Sequence, residues 1–480
     1  MASAESLQAP AEKRLGYLIF VCAAATLAGF LFGFDAAVIN GTVAALSKEF
    51  ASSGVGTGLS VASVLVGSAI GAWLAGQYAE KMGRRPVMVL TAVLFAVGAI
   101  GAGASWSANA FFCFRLIGGF GVGAASVVAP AYIAEVSPTH IRGRLTTLQQ
   151  LAIVLGLQCA FMSNYLIAHA AGGAGQPWLL GAHAWRWMYW VQIIPSLLYF
   201  FSSLALPESP RYLIAKGREA AARITMLKLW GSSDLDATVA EIRSTVSTRS
   251  RPLSSTLRRA GSRNLLPIVW VGIAIAFFQQ ASGINAVMYF GEYLWAAAGF
   301  SAENGLLINV TLGAVLVVST LCSLVLVDKI GRRPLLLGGS AVMSVTSIIL
   351  TAVFFLSAHD AKDVLVMTST QAQLTLVAEH LFIFAFGVSW GPVVWVLLGE
   401  MFPNRIRARA LALGAGTQWV TAFLVTTSFP ALLASVGLKG IFVIYSIASV
   451  LAFFTVFRCV RETKGVALED MEDGSGAKSM

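Results

Sequence analysis

Twelve stretches of roughly 20 apolar residues follow one another along this chain, and each is long enough to cross the hydrocarbon core of a bilayer as a helix. They run at about 16–39, 59–79, 87–105, 109–132, 145–168 and 185–206, then 266–290, 304–327, 335–357, 375–398, 410–434 and 438–458. Backbone polar groups find no water inside a membrane, so such spans must be helical, and the Gly and Pro within them imply local bends or breaks. The chain is 57% hydrophobic and 12% charged, about half the charge of an ordinary soluble domain. That balance excludes a soluble globular fold and points to an all-α membrane protein.

The basic residues orient the spans. Of 33 Lys and Arg, only Lys48, Arg186, Lys362 and Lys439 fall in or beside loops on one side, and Arg115 lies inside a span. The rest gather on the other side, in turns, linker and tails, so the positive-inside rule places both termini in the cytoplasm of a multi-pass plasma (cell inner) membrane protein. The same distribution accounts for the net charge of +10 without a nucleic-acid partner. No cleavable signal is expected in the polar first residues. The five cysteines, Cys22, Cys113, Cys159, Cys322 and Cys459, have neither disulfide nor metal spacing and read as packing residues.

The chain is also duplicated. Glu80-Lys-Met-Gly-Arg-Arg-Pro86 returns 248 residues later as Asp328-Lys-Ile-Gly-Arg-Arg-Pro334. Glu135 followed by Arg142-Gly-Arg144 is echoed by Glu400 followed by Arg407-Ala-Arg409, and Pro207-Glu-Ser-Pro-Arg211 by Arg461-Glu-Thr-Lys-Gly465. Repeats of this kind mark secondary transporters, which bind substrate between their halves. The expected organisation is a tail over 1–15, a six-helix half over 16–206, and a cytoplasmic linker with short surface helices over 207–264. A second six-helix half over 265–458 and a tail over 459–480 follow.

Two ionisable residues lie deep in spans, Asp35 in the first and Arg115 in the fourth. Charges at that depth are expensive and imply a functional pair. A carboxylate that reaches each face in turn can carry a proton, with the neighbouring cation tuning its release; a static structural ion pair is the alternative. Arg84, Arg85, Arg332 and Arg333 of the duplicated turns are placed to bond Glu135 and Glu400 and the last carbonyls of nearby helices. With Glu80, Asp328, Glu208, Glu462, Arg142, Arg144, Arg407 and Arg409 they form two candidate cytoplasmic gate clusters, or simple anchors of topology.

The second half supplies groups suited to a neutral polyol. Gln279, Gln280, Asn285 and Tyr289 cluster in the seventh span, Trp395 follows Gly391-Pro392, and Gln418-Trp419 sits in the eleventh. Amides pair with sugar hydroxyls and indoles cover a ring face; interhelical bonding and packing is the plainer reading of any one of them. Glu379 and His380 read as an interfacial pair near the outer end of the tenth span, with external proton access as the other reading. His140, His169, His183 and His359 form no metal set, and there is no Walker loop for ATP. No cofactor, no enzymatic arrangement and no obligate protein partner is implied; protons, a small sugar and the lipid bilayer are the expected partners.

These segments resemble the sugar porter family of the major facilitator superfamily over nearly all of residues 15–470, and look most like bacterial proton-coupled pentose and hexose symporters. The resemblance rests on Gly33-Phe-Asp-Ala-Ala-Val-Ile39, Arg115-Leu-Ile-Gly-Gly119, Tyr132-Ile-Ala-Glu135, Gln279-Gln280, Gly283-Ile-Asn285, Trp390-Gly-Pro392, Glu400-Met-Phe-Pro403 and the repeats above. It implies twelve helices in two pseudo-symmetric halves and sugar–proton symport by alternating access through Asp35. It further implies sugar contacts at Gln279, Gln280, Asn285, Trp395, Gln418 and Trp419, with Tyr289 lining the gate. Leu157 and Leu316 stand where members place a sugar-binding Gln and Asn, so the sugar itself stays open; Ala408 replaces a Gly and Arg461 a Pro, changes that bear on the gate rather than on the substrate. A proton-independent uniporter and a transporter-like nutrient sensor are the alternatives, although the tails are short for signalling.

Overall fold

The computed structural model describes residues 11–50, 54–138, 142–231, 235–249, 265–359, 365–403 and 406–464, nearly all of them helical. Four helices of 20 residues or more open the chain after its first: α1 (Ala11–Val38) leads through a short 3-10 turn and α2 (Val43–Glu49) to α3 (Gly54–Met82), α4 (Arg84–Gly103), α5 (Ala108–Val136) and α6 (Arg142–Ala171). The sixth crossing is made by α7 (Ala184–Trp190) and α8 (Ile193–Ala205). Starts follow local chemistry: the Ser107 hydroxyl accepts from the Ala110 N–H, and Thr368 with Gln371 forms a reciprocal capping box.

The linker is helical, as its sequence suggested. Three helices, α9 (Pro210–Ala215), α10 (Glu219–Leu229) and α11 (Leu235–Arg249), close a small core of Leu213, Ile214, Ala222, Met226 and Val239. Trp230 Nε1 donates to the Val136 carbonyl at 2.8 Å, and the Tyr212 hydroxyl to that of Lys81 at 3.0 Å. A polar stretch thus gains a fixed seat on the ends of α3 and α5.

In the second half, breaks are placed by Gly and Pro. The seventh crossing is α12 (Pro267–Ala281) and α13 (Ile284–Ala297), joined at Gly283, whose φ of 91° few other residues tolerate. Next come α14 (Ala302–Ile330) and α15 (Arg332–Leu356), a two-residue-per-strand hairpin (β1, Ala358–His359; β2, Leu365–Val366), and α16 (Ser369–Val388) with α17 (Pro392–Met401). The last helix, α18 (Arg407–Cys459), counts 53 residues. At 1.5 Å per residue it would run about 80 Å, far more than a bilayer core needs. It bends at Gly437, with φ 65° and ψ −177°, and so supplies two crossings. Among the described residues, eleven helices are long and apolar enough to span a membrane, and this bend makes the twelfth crossing.

The duplication shows in the helices that precede the two basic turns. α3 and α14 have 29 residues each and end at Gly83 and Gly331, whose φ values are 104° and 106°. Contacts divide the chain into two compact units, one of residues 1–36, 63–160 and 186–253, the other of 37–62, 161–185 and 254–480. In the first, α4 packs on α5 and α8; in the second, α15 packs on α16 and α18, and α12 on α18. The ends of α1, α3 and α6 thus belong to the unit built on the second half. Of the cysteines, Cys22 is buried, whereas Cys113, Cys159 and Cys459 are exposed on helix surfaces. That corrects the packing expectation for those three: a span is apolar all round, so sequence does not separate its lipid face from its protein face.

Candidate functional site

In the first unit, Asp35 and Arg115 are both about 1% exposed and meet directly. Arg115 donates through Nη1 to Asp35 Oδ2 at 3.0 Å and through Nη2 to the Asp35 backbone carbonyl at 3.1 Å. Gln192, from the turn between α7 and α8, donates to the other carboxylate oxygen at 3.1 Å. The guanidinium lies 5.7 Å over the Tyr189 ring, a favourable seat for a buried cation. Gly118 makes room, since a Cβ there would stand 3.2 Å from Asp35 Oδ1. Sequence reasoning missed Gln192; its signal was a lone amide inside an apolar span, between Val191 and Ile193.

In the second unit the amides form a row. Gln279 Nε2 donates to the carbonyl of Trp390 at 2.7 Å and to that of Gly391 at 3.3 Å. These carbonyls lie in the break between α16 and α17, so Gln279 splints the broken tenth crossing. Its Oε1 accepts from Gln418 Nε2 and from Gln280 Nε2. Gln280 Oε1 in turn accepts from Asn285 Nδ2 at 2.6 Å. Gln279 therefore has little capacity left, whereas Gln418 Oε1 is buried with no protein partner among the described residues. Trp395 is 46% exposed, Trp419 half-buried and Tyr289 buried. Leu316 is buried and Leu157 half-buried, each in its own unit.

The two charge clusters share one pattern of bonds, with Arg332 gripping Glu400 through two donors where Arg84 uses one on Glu135. Gly83 and Gly331 turn the chain so that the next two N–H groups point at one carboxylate: Arg84 and Arg85 N–H at Glu208, Arg332 and Arg333 N–H at Glu462. A side chain at either glycine would strike that carboxylate. Arg84 then reaches Glu135 at 2.8 Å, and Arg332 reaches Glu400 at 2.9 Å. The same guanidinium groups donate back to the carbonyls of Ala79 and Val327. Asp328 adds an exposed contact to Arg332, and Arg407 donates to the Phe402 carbonyl. Burial pushes Glu462 up, but four backbone N–H bonds, from Lys464, Arg332, Arg333 and Thr463, outweigh it and hold its carboxyl below the usual value. Glu80 and Arg409 are exposed. The side chains of Arg142 and Arg144 lie outside the described residues.

Glu379 corrects the reading of an interfacial pair. α16 starts at Ser369, so Glu379 lies ten residues inside it and is 1% exposed. His380 faces elsewhere, bonded to Thr311 Oγ1 at 2.9 Å. The helix begins earlier than the apolar run because its first turn is polar and capped.

Among the described residues no group of side chains could hold a metal. Buried ions and amides inside a helical bundle are the equipment of a secondary transporter, and the fold is the twelve-helix major facilitator fold. The chain belongs to the sugar (and other) transporter family, matched over residues 21–474. It is 48% identical over 458 residues to a glucose transport protein of Synechocystis, covering 95% of this chain and 97% of that one. It is 33% identical to the D-xylose-proton symporter of Escherichia coli, covering 95% of each. Among solved structures, it resembles the inward open conformation of the E. coli xylose transporter XylE with a TM-score of 0.79, at 31% identity over 95% of this chain and 99% of that one. It also resembles XylE bound to 6-bromo-6-deoxy-D-glucose, with a TM-score of 0.76 at 32% identity, covering 96% of this chain and 99% of that one.

Proposed function

We propose that this chain carries a neutral hexose or pentose across a cell membrane together with a proton, by alternating access. The observation that carries the proposal is the buried Asp35–Arg115 pair, with each carboxylate oxygen held by a different donor, in a family whose relatives include a glucose transport protein and a xylose–proton symporter. An acid in that seat can exchange a proton if Arg115 is withdrawn and returned in each cycle. The amide row from Gln418 through Gln279 and Gln280 to Asn285, with Trp395 and Trp419, is the sugar site on this reading. Tyr289 lines its gate, and the relatives' glucose and xylose fit amide donors and acceptors.

The halves over 16–206 and 265–458 would be the moving bodies. The Arg84–Glu135–Glu208 and Arg332–Glu400–Glu462 clusters are the gate elements on the cytoplasmic side, where both termini are placed by their charge. A sugar uniporter remains the second reading, favoured by the same three bonds at Asp35, which would also hold a carboxylate still. Uptake of labelled glucose and xylose into proteoliposomes, with and without an inward proton gradient, decides between them. Accumulation above equilibrium only with the gradient is the expected result, and equal, non-accumulating uptake under both conditions establishes the uniporter.

A further inference from the structure

The seventh crossing bends a second time, in the middle of α13, where Phe290 leaves helical geometry with φ −115° and ψ 21°. Asn40, from the short turn after α1, enters this bend. Its Nδ2 donates to the Met288 carbonyl at 2.8 Å and to that of Val287 at 3.4 Å. Its Oδ1 accepts from the Glu292 N–H at 3.2 Å and from Asn309 Nδ2 of α14 at 2.7 Å. Met288 C=O and Glu292 N–H are the two groups that an unbroken helix joins to each other. Asn40 stands between them, with its whole amide engaged. Asn309 is fixed in turn, since its Oδ1 accepts from Trp295 Nε1 at 3.2 Å. All of these residues are buried; Asn40 and Trp295 are 0% exposed and Asn309 2%. Gly291 is what admits them: a Cβ there would overlap Asn309 Oδ1 and lie 2.6 Å from Asn40 Nδ2.

Two arrangements therefore keep these two backbone groups paired. The helix bends and Asn40 joins its broken ends, or Asn40 leaves and a straightened helix pairs Met288 with Glu292 directly. Intermediate states leave buried backbone groups unpaired, which is costly, so the element is bistable. We propose that Asn40 is a gating residue, whose amide locks the bent seventh helix against the end of the first and thereby closes the path at the face opposite the duplicated basic turns. It acts by positioning α13 and does not touch the sugar row. The inference rests on the alternating-access reading for its consequence, but its geometry can be tested without transport.

The test uses the full chain in proteoliposomes, in a background without the five native cysteines. A cysteine replaces Ile39, itself 0% exposed beside Asn40, and the probe is a membrane-impermeant maleimide. Asn40→Ala should speed labelling roughly tenfold, equivalent to about 1.4 kcal/mol, because the hydrogen bonds of the lock are lost. Gly291→Ala should do the same, because its methyl group expels the amide, and the double variant should add little to either. A cysteine at buried Ala92 in α4 should stay unreactive throughout, which a general loosening would not allow. If Asn40→Ala fails to fold, Gly291→Ala and Asn309→Ala carry the test alone. Labelling unchanged in folded variants, or additive in the double variant, overturns the proposal. Labelling that follows the expected pattern in a chain that moves no sugar would leave the lock standing and sink the symport reading.

Discussion

At the scale of single residues, bond geometry separates roles that the sequence had grouped. Asp35 is held by Arg115 and Gln192 through different oxygens. Asp35→Asn keeps the shape but removes the exchangeable proton, so proton-driven accumulation should vanish while sugar exchange across the membrane continues. Accumulation that persists in this variant would exclude Asp35 as the coupling group. Arg115→Leu should be worse for the protein itself, since breaking a buried pair strands a charge at a cost of about 3–5 kcal/mol; thermal stability in detergent reads this directly. Among the amides, Gln279 is saturated by the broken tenth crossing. Gln280→Ala should therefore weaken sugar binding by up to roughly tenfold with little change in melting temperature. Gln279→Ala should lower the melting temperature as well, by leaving two carbonyls unpaired. Equilibrium binding and thermal melts of both variants test the contrast.

At the scale of elements, the duplicated turns carry the clearest prediction. Gly83 and Gly331 sit at φ values near 105° and face a carboxylate, so Gly331→Ala is strained twice over, in backbone and in contact. Glu462 stabilises its cluster as a carboxylate. Its value is depressed in the fold, so the contribution is complete above the ordinary value of 4.5 and is lost as pH falls through the lower, folded value. Melting curves of the wild type and Glu462→Gln should differ at neutral pH and converge in acid. A constant gap down to pH 3 would show that charge is not what the four N–H groups read.

At the scale of the whole molecule, the proposed membrane orientation rests on the sidedness of the basic residues, and labelling tests it. A cysteine in the linker at Ser244 should react with an impermeant thiol reagent only after cells are opened. The number and order of the crossings, the repeat and the basic turns were all legible in the sequence, because membrane insertion depends on runs of apolar residues and on the sidedness of charge. So was the pairing of Asp35 with Arg115, since an isolated charge inside a bilayer requires a partner. The tertiary structure alone decided the rest. The short helices of the linker were expected, but not their shared core, because Leu213, Met226 and Val239 lie on three separate helices and meet only when these fold together. Cys113 and Cys159 turned outward, and Glu379 inward, because periodicity cannot tell lipid from protein where both are apolar. Gln192 and Asn40 gained roles because each answers an unmet polar group on another helix, and such a debt appears only once the helices are broken and brought together.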